Sequence, residues 1–188
     1  PTPRHHSSAA SDVYKRQTTP KFMEMPRTVG DMDPSTILVA GVGGIGCAWA
    51  HRAHQKCQGS AHLVLIDADD SSFKTGEDVH VLRLGHALDS VGCAALPPLA
   101  EQRMRGLNTL TNRLLDTTEL VILLTGLGGG VGTGAAHEFA RQARQSGAVV
   151  LAVAALPFEQ QTTRMDIALE GLNRLESTAH VTVRLSLD

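Results

Sequence analysis

Two glycine-rich segments constrain this chain most, because each lies between a short aliphatic run and a helical pattern. The first glycine segment, Gly41–Gly46, follows the aliphatic residues 37–40 and fits the spacing G-x-G-x-x-G. The second glycine segment, Gly126–Gly134, follows the aliphatic residues 120–124 and has six glycines in nine positions. Glycine lets the backbone approach phosphate oxygens, and the free N–H groups of a following helix favour an anion. Both segments are therefore predicted to contact phosphate groups.

The rest of the chain alternates between short aliphatic runs and amphipathic stretches of helical period. Strands are predicted at residues 37–40, 62–66, 79–84, 120–124, 149–155 and 181–185, and helices from the first glycine segment to about 58, then at 98–115, 133–145 and 164–176. This pattern predicts an α/β fold of the Rossmann-like, doubly wound type, a mainly parallel sheet with helices on both faces. Ligands of such sheets bind beyond the carboxyl ends of the strands, so both glycine segments can face one ligand.

Chain length and the distribution of prolines and apolar residues indicate one folded domain preceded by a leader. The chain has 188 residues, which suits a single domain with its own core. Residues 1–33 contain four prolines and no periodic apolar pattern, which predicts a disordered leader. The run 11–17 within it is interpreted as a cloning or sequencing scar. Residues 34–188 are predicted to form the domain.

Charge and apolar content exclude several classes of partner. With 17 Lys and Arg against 19 Asp and Glu, the chain lacks the basic excess that nucleic acids and anionic membranes require. The longest apolar run, Val149–Phe158, has about half the roughly 20 residues of a membrane-spanning helix. Three cysteines without a C-x-x-C pair favour a reducing compartment. The protein is therefore expected to be cytoplasmic, without a nucleic-acid partner or direct membrane insertion.

The residues alone leave the nucleotide class open. No lysine lies in or beside the second glycine segment, which excludes a P-loop. Asp67 follows Gly46 at the roughly 20-residue spacing of the ribose-binding acid of dinucleotide enzymes. That fold, however, uses one glycine loop, whereas two loops indicate a nucleotide with two or three phosphates lying across the sheet. A tight strand-to-helix turn without any ligand is the plainer alternative for the first segment.

A family resemblance narrows the choice. Gly128–Ala136 resembles the G-G-G-T-G-[TS]-G signature of the tubulin/FtsZ family, and Gly41–Gly46 resembles its first phosphate loop. Asp67–Asp69 takes the place of the family's Asn-Thr-Asp turn, and residues 156–165 resemble its Lys-Pro-Phe…Arg-Met stretch. The resemblance covers most of residues 36–188 and is strongest to the bacterial cell-division members. It implies a cytoskeletal, cell-division GTPase domain.

The resemblance also implies a set of binding residues and cofactors. GTP or GDP would be bound, with Mg²⁺ held mainly through phosphates because no acidic cluster flanks the loops. Val131 stands where the family has threonine, and residues 91–97 replace a glycine-rich third loop that ends in Asn-Pro. Glu159 is carried over although Gln160 aligns with the family's glutamate. The implied nucleotide-binding residues are Gly41, Gly43, Gly44, Gly46, Asp69, Gly128, Gly129, Gly130, Val131, Gly132, Thr133, Gly134, Glu159 and Arg164.

Assembly and catalysis follow from the same resemblance. Family members assemble head to tail into filaments and hydrolyse GTP with acidic residues from a loop of the neighbouring subunit. That loop follows a long central helix beyond the strand at 181–185, so we assign no catalytic residue to this chain and expect slow turnover from it alone. Self-association is expected in the full-length form.

Two functions other than a GTPase domain remain open at this point. Residues 37–47 with 65–69 also resemble the ATP site of ubiquitin-activating-type adenylating enzymes, and a non-catalytic regulatory relative of the family is a third possibility. Cys47, His51 and His54 are spaced to share a helix face that could hold a metal, although a buried cysteine beside two solvated histidines is the simpler expectation. His137 is expected to be exposed, and Asp166, Glu170 and Arg174 are expected to form a solvated face.

Overall fold

Six parallel strands form the centre of the domain. A computed structural model describes residues 36–57, 60–73, 79–85 and 91–187, and the predicted leader 1–33 lies outside them. The sheet order is β3-β2-β1-β4-β5-β6, and every neighbouring pair is parallel. The strands are β1 Ile37–Val42, β2 His62–Asp67, β3 Val79–Arg83, β4 Leu120–Gly126, β5 Val149–Ala155 and β6 Val181–Leu185. The predicted Rossmann-like fold is confirmed.

Five helices connect the strands of the described residues. They are α1 Gly43–Cys57, α2 Pro97–Gly106, α3 Asn108–Leu115, α4 Gly130–Gln145 and α5 Thr162–Thr178. None of these helices is both long and apolar enough to span a bilayer.

Two helix boundaries were predicted wrongly. The single helix expected at 98–115 is broken at Leu107, whose N–H bonds back to the Met104 carbonyl at 3.1 Å, directly after the weak helix former Gly106. Helix α4 begins at Gly130 rather than Thr133. Its first residues are mostly glycine, whose low helix propensity hides a helix start in the sequence.

The two faces of the sheet are covered unequally. Leu38, Ala40 and Val42 point into a large core shared with α2, α4 and α5. Val39 lies on the opposite face, where it packs with residues of α1 and β2 in a smaller cluster.

Toward β6, the α1 face of the sheet remains partly open. Leu151 pairs with Val181 and Val153 with Val183, so these side chains point to one face. Val181 is 52% exposed and Val183 42%. Helices thus lie on both faces, as predicted, but α1 does not extend over the β6 edge.

The sheet order places its switch point between β1 and β4. The chain winds from β1 toward β3 on one side and from β4 toward β6 on the other. In such sheets the crevice for a ligand opens at the carboxyl ends of the two central strands. The two glycine segments begin at these two ends.

Candidate nucleotide-binding site

The two glycine segments touch each other at the switch point. Val42, the last residue of β1, is paired in register with Thr125 near the end of β4. A Cβ built on Gly43 would lie 3.1 Å from the backbone nitrogen of Gly132, and one on Gly46 would lie 2.2 Å from the Leu124 carbonyl oxygen. The structure therefore brings the two predicted phosphate segments into direct backbone contact.

Most of these glycines are required by close backbone packing. A Cβ on Gly132 would lie 2.0 Å from the Gly126 carbonyl oxygen, so the protein's own backbone excludes a side chain there. The nearby protein backbone is therefore sufficient to require glycine at position 132, without any phosphate contact. The same holds for Gly41, Gly46, Gly128 and Gly134, whose added Cβ atoms would lie 2.6, 2.2, 2.7 and 1.9 Å from backbone carbonyl oxygens.

Two glycines of the predicted set have open space instead. No atom lies within 4 Å of a Cβ built on Gly129, and the nearest atom to one on Gly44 is the Ser72 hydroxyl oxygen at 3.7 Å. Folding therefore does not require glycine at these two positions on steric grounds. They are where the backbone leaves room for a ligand.

The start of α4 offers unpaired backbone donors beside this space. The residue before the helix, Gly129, has no side chain to cap it, and the first turn carries no acidic residue. The first N–H groups of an α-helix lack intrahelical partners, and the helix dipole makes this end attractive to anions. Helix α4 thus presents an uncapped N-terminus at the switch point.

Side chains around Gly128 fix the turn that leads into α4. Gly128 has φ +89°, a left-handed conformation that glycine adopts without strain. Its N–H donates to the Thr133 hydroxyl at 2.9 Å, and its carbonyl accepts from Arg164 Nε at 3.3 Å. Thr133 is buried, whereas Arg164 and Glu159 are exposed on the loop and helix that follow β5. Thr133 and Arg164 therefore shape the second glycine segment directly.

The acidic turn after β2 adjoins the first glycine segment. Asp67 is buried and accepts a hydrogen bond from the Ala68 N–H at 2.7 Å. Asp69 accepts from the Ser71 N–H at 3.0 Å and caps the short turn Asp70–Ser72. Because Ser72 lies close to Gly44, the structure places the predicted residue Asp69 on a turn beside the first glycine segment.

Comparison with known proteins identifies the family. The sequence profile described as "Tubulin/FtsZ family, GTPase domain" matches residues 36–186. The chain belongs to the tubulin/FtsZ family. It is 31% identical to the cell division protein FtsZ of Aquifex aeolicus, over 79% of this chain and 41% of that relative. It is 30% identical to FtsZ 1 of Archaeoglobus fulgidus, over 82% of this chain and 42% of that relative.

A solved structure agrees with this assignment. An empty FtsZ dimer from M. jannaschii superposes with a TM-score of 0.74 at 28% identity, covering 81% of this chain and 45% of the FtsZ chain. The chain spans less than half the length of these relatives. These matches support the tubulin/FtsZ interpretation over the adenylating-enzyme alternative.

Val131 and the third loop differ from the family signature in ways the structure explains. The Val131 side chain, in place of the family's threonine, is buried in the large core. In the third loop, Cys93, Ala94 and Ala95 have φ of 52°, 50° and 56°. These left-handed conformations are ones that glycine adopts readily and other residues adopt at a cost of about 1–2 kcal/mol each.

Replacing Ala94 by glycine is expected to stabilise the protein. Ala94 is exposed and left-handed, so glycine relieves strain without losing packing, and we expect the free energy of unfolding to rise by about 1 kcal/mol. Urea unfolding followed by circular dichroism measures it. The matched control is Ala48→Gly, an exposed alanine within α1, which should lower stability by about 1 kcal/mol. Equal losses at both positions would contradict the left-handed turn.

Sequence reasoning missed an ion-pair network behind the second glycine segment. Glu138 is fully buried on α4 and accepts hydrogen bonds from Arg141 at 2.9 Å and Gln142 at 3.0 Å. Glu101 on α2 accepts from Arg174 of α5 at 2.7 Å, and Arg105 pairs with both glutamates. The signals available in the sequence were the spacings Glu138–Arg141 and Glu101–Arg105.

Two expectations about this region were wrong. His137 was expected to be exposed, but it is 6% exposed, with Nε2 3.5 Å from a Glu101 carboxylate oxygen. Burial, together with the charge of Arg174, lowers the pKa of His137 below its ordinary value. Arg174 was placed on a solvated face, yet it pairs with Glu101.

In two metal-like groupings of the described residues, most of the potential ligand atoms already have protein partners. The ligand atoms of Glu101, His137 and Glu138 lie within 4.8 Å of one another, but three arginines already neutralise the two carboxylates. The Cys47 thiol donates toward the carbonyls of Gly41 at 3.4 Å and Ile66 at 3.7 Å, and burial raises its pKa to about 12. His54 Nε2 lies 2.9 Å from the Ala61 carbonyl oxygen, so two of the three groups predicted to share a helix face already have backbone partners, and the buried-cysteine expectation is the better supported one.

Proposed function

We propose that this domain binds a guanine nucleotide, with the phosphates over Gly44, Gly129 and the N-terminus of α4. The observation that carries the proposal is the uncapped start of α4, which lies beside an open Gly129 and in backbone contact with the first glycine segment. Membership in a family described as a GTPase domain supports guanine as the base and a nucleotide that carries several phosphates. Arg164, which already reaches the Gly128 carbonyl, lies close enough to act beside the phosphates.

The Mg²⁺ proposed to accompany the nucleotide would be held mainly through phosphate oxygens and water. Mg²⁺ prefers oxygen ligands and often keeps several waters in nucleotide sites. The two carboxylates nearest the first glycine segment, Asp67 and Asp69, already accept backbone hydrogen bonds. This arrangement fits a metal whose ligands come chiefly from the nucleotide.

For the full-length protein we propose head-to-tail assembly and GTP hydrolysis in a cytoskeletal or cell-division role. The names of the relatives and the dimeric FtsZ structure support this proposal. Glu138 is committed to arginines of its own subunit, so we do not assign it as a catalytic base. The free, buried thiols of Cys47 and Cys93 support a reducing, cytoplasmic location.

Isothermal titration of the chain with a GTP analogue in the presence of Mg²⁺ tests nucleotide binding. We expect saturable heat that excess GDP abolishes and excess ATP does not. Absence of heat at millimolar nucleotide, or equal competition by ATP, would overturn the proposal. The ATP arm also tests the adenylating-enzyme alternative.

Replacing Gly129 by leucine is expected to weaken nucleotide binding with little effect on folding. No protein atom other than its chain neighbours lies within 4 Å of the new Cβ, whereas a phosphate bound over Gly129 would meet the leucine, so we expect affinity to fall by about tenfold or more. Titration and a thermal melt measure the two effects. Gly106→Leu is the matched control, because Gly106 is equally open but lies at the end of α2. Unchanged affinity in Gly129→Leu would show that the phosphates lie elsewhere.

A further inference from the structure

Thr125 is a buried hydroxyl between the two glycine segments. It lies next to the end of β4 and is inaccessible to solvent. Its Oγ1 is 3.1 Å from the carbonyl oxygen of Val42 and 3.1 Å from that of Gly132. Val42 lies in the first glycine segment at the end of β1, and Gly132 lies in the second segment, in the first turn of α4. One hydroxyl proton is therefore shared between a carbonyl of each segment.

Besides Thr125, the two segments are held by the pairing of β1 with β4 and by the Ile45 side chain, which packs beside Gly126. They meet through backbone at Gly43 and Gly132, where no side chains can interlock. A Cβ on Gly132 would also lie 3.0 Å from the Thr125 hydroxyl oxygen, so the threonine fills the space beneath α4. Valine has nearly the same shape as threonine, so volume alone does not require a hydroxyl here. The hydrogen bonds do require it.

We propose that Thr125 is a positioning residue, whose hydroxyl holds the first glycine segment and the start of α4 at the spacing that one nucleotide needs to contact both. The inference rests on the proposed nucleotide binding and adds a residue that the family resemblance did not assign. Loss of the hydroxyl leaves a buried carbonyl without its partner and lets the two segments shift relative to each other. A ligand that bridges them then binds more weakly.

The experiment compares Thr125→Val and Thr125→Ser with wild type by titration with GDP, at a temperature where thermal melts show all variants folded. Thr125→Val is expected to weaken GDP binding by about tenfold, and Thr125→Ser by no more than about twofold, because serine restores the hydroxyl. Thr111→Val is the matched control. Thr111 is equally buried, and its hydroxyl donates to the Leu107 carbonyl at 3.0 Å on α3, outside the glycine segments. We expect it to lower the melting temperature without changing GDP affinity.

The outcomes separate this inference from the proposed function. If wild type fails to bind GDP, the proposed function fails and the inference with it. If wild type binds and Thr125→Val binds within about twofold of it, the positioning role alone is overturned. Should Thr125→Val fail to fold, Thr125→Cys replaces it, because a thiol is a weaker donor. GDP binding should then be weaker in Thr125→Cys than in Thr125→Ser, and equal affinities overturn the inference.

Discussion

Replacing Gly134 by alanine should unfold the domain or destabilise it severely. The new Cβ would lie 1.9 Å from the carbonyl oxygen of Pro97 and 2.7 Å from its carbonyl carbon. Both are backbone atoms at the start of α2, so α2 and α4 must separate to admit the methyl group. Helix α4 is buried over nearly its whole length, so this separation disrupts the core. We expect a loss of at least about 3 kcal/mol in the free energy of unfolding, measured by urea titration.

The sign of this effect makes the test decisive. Alanine is favoured over glycine inside helices by about 1 kcal/mol, so propensity alone predicts stabilisation. Gly106→Ala in α2, where no atom lies near the added Cβ, is the control that should show only this gain or no change. If Gly134→Ala matched Gly106→Ala, the close approach of α2 to α4 would be wrong. The Gly134 variant tests folding, whereas the Gly129 variant tests ligand binding.

The strands and their doubly wound, parallel arrangement could be predicted because the signals of the strands are local. Aliphatic runs such as Leu120–Leu124 and Val149–Ala155 are short, end at turn residues and alternate with helical periods, which identifies buried parallel strands. The boundaries of α2 and α4 were harder to predict from the sequence. Gly106, Gly130, Gly132 and Gly134 all lower helix propensity. Only tertiary packing decides that α2 ends at Gly106 while α4 begins at Gly130.

The candidate site could be located from sequence but not resolved into roles. The position of the glycines after predicted strands located both segments at the carboxyl ends of the sheet. The sequence does not show, however, that Gly129 faces open space while Gly132 packs against backbone. What distinguishes them is the distance to the Gly126 carbonyl, which no local pattern contains. Thr125 lies just beyond the predicted strand 120–124 and carried no prediction, because one of its partners, Val42, lies 83 residues away in sequence.

The ion-pair network escaped prediction for the same reason. Glu101 and Arg174 are 73 residues apart, and their pairing depends on α2 and α5 flanking α4. Charged residues are mostly exposed in proteins, so the sequence alone predicts that charged side chains on helices face solvent. Here the burial of α4 brings them together instead.

Replacing Glu138 by glutamine should destabilise the protein in a pH-dependent way. Burial acts to raise the pKa of Glu138, but hydrogen bonds from Arg141 and Gln142 and the nearby positive charge outweigh it and hold the pKa below its ordinary value of 4.5. A carboxyl whose pKa is lowered by folding adds stability above its unfolded pKa and loses it as pH falls through the folded value. We expect Glu138→Gln to lower the free energy of unfolding by about 2–3 kcal/mol at pH 7. The loss is smaller than for a fully buried ion pair, because Arg141 and Arg105 are partly exposed and can regain water. Urea unfolding at pH 7, 5.5, 4 and 3 measures the loss.

The difference between wild type and Glu138→Gln should shrink as pH falls below about 4.5, because the unfolded wild-type chain then takes up a proton on Glu138 that the folded protein, with its lowered pKa, does not yet bind. Glu101 also has a lowered pKa and shares Arg105 with Glu138, but it titrates in both proteins, so most of its contribution cancels in the difference. His137 also titrates in both. Glu170→Gln, which changes an exposed carboxyl on α5, is the control and should change the free energy of unfolding by less than about 1 kcal/mol. A loss in Glu138→Gln that stayed constant from pH 7 to pH 3 would mean that Glu138 stabilises α4 through its shape and hydrogen bonds, and that its charge contributes nothing.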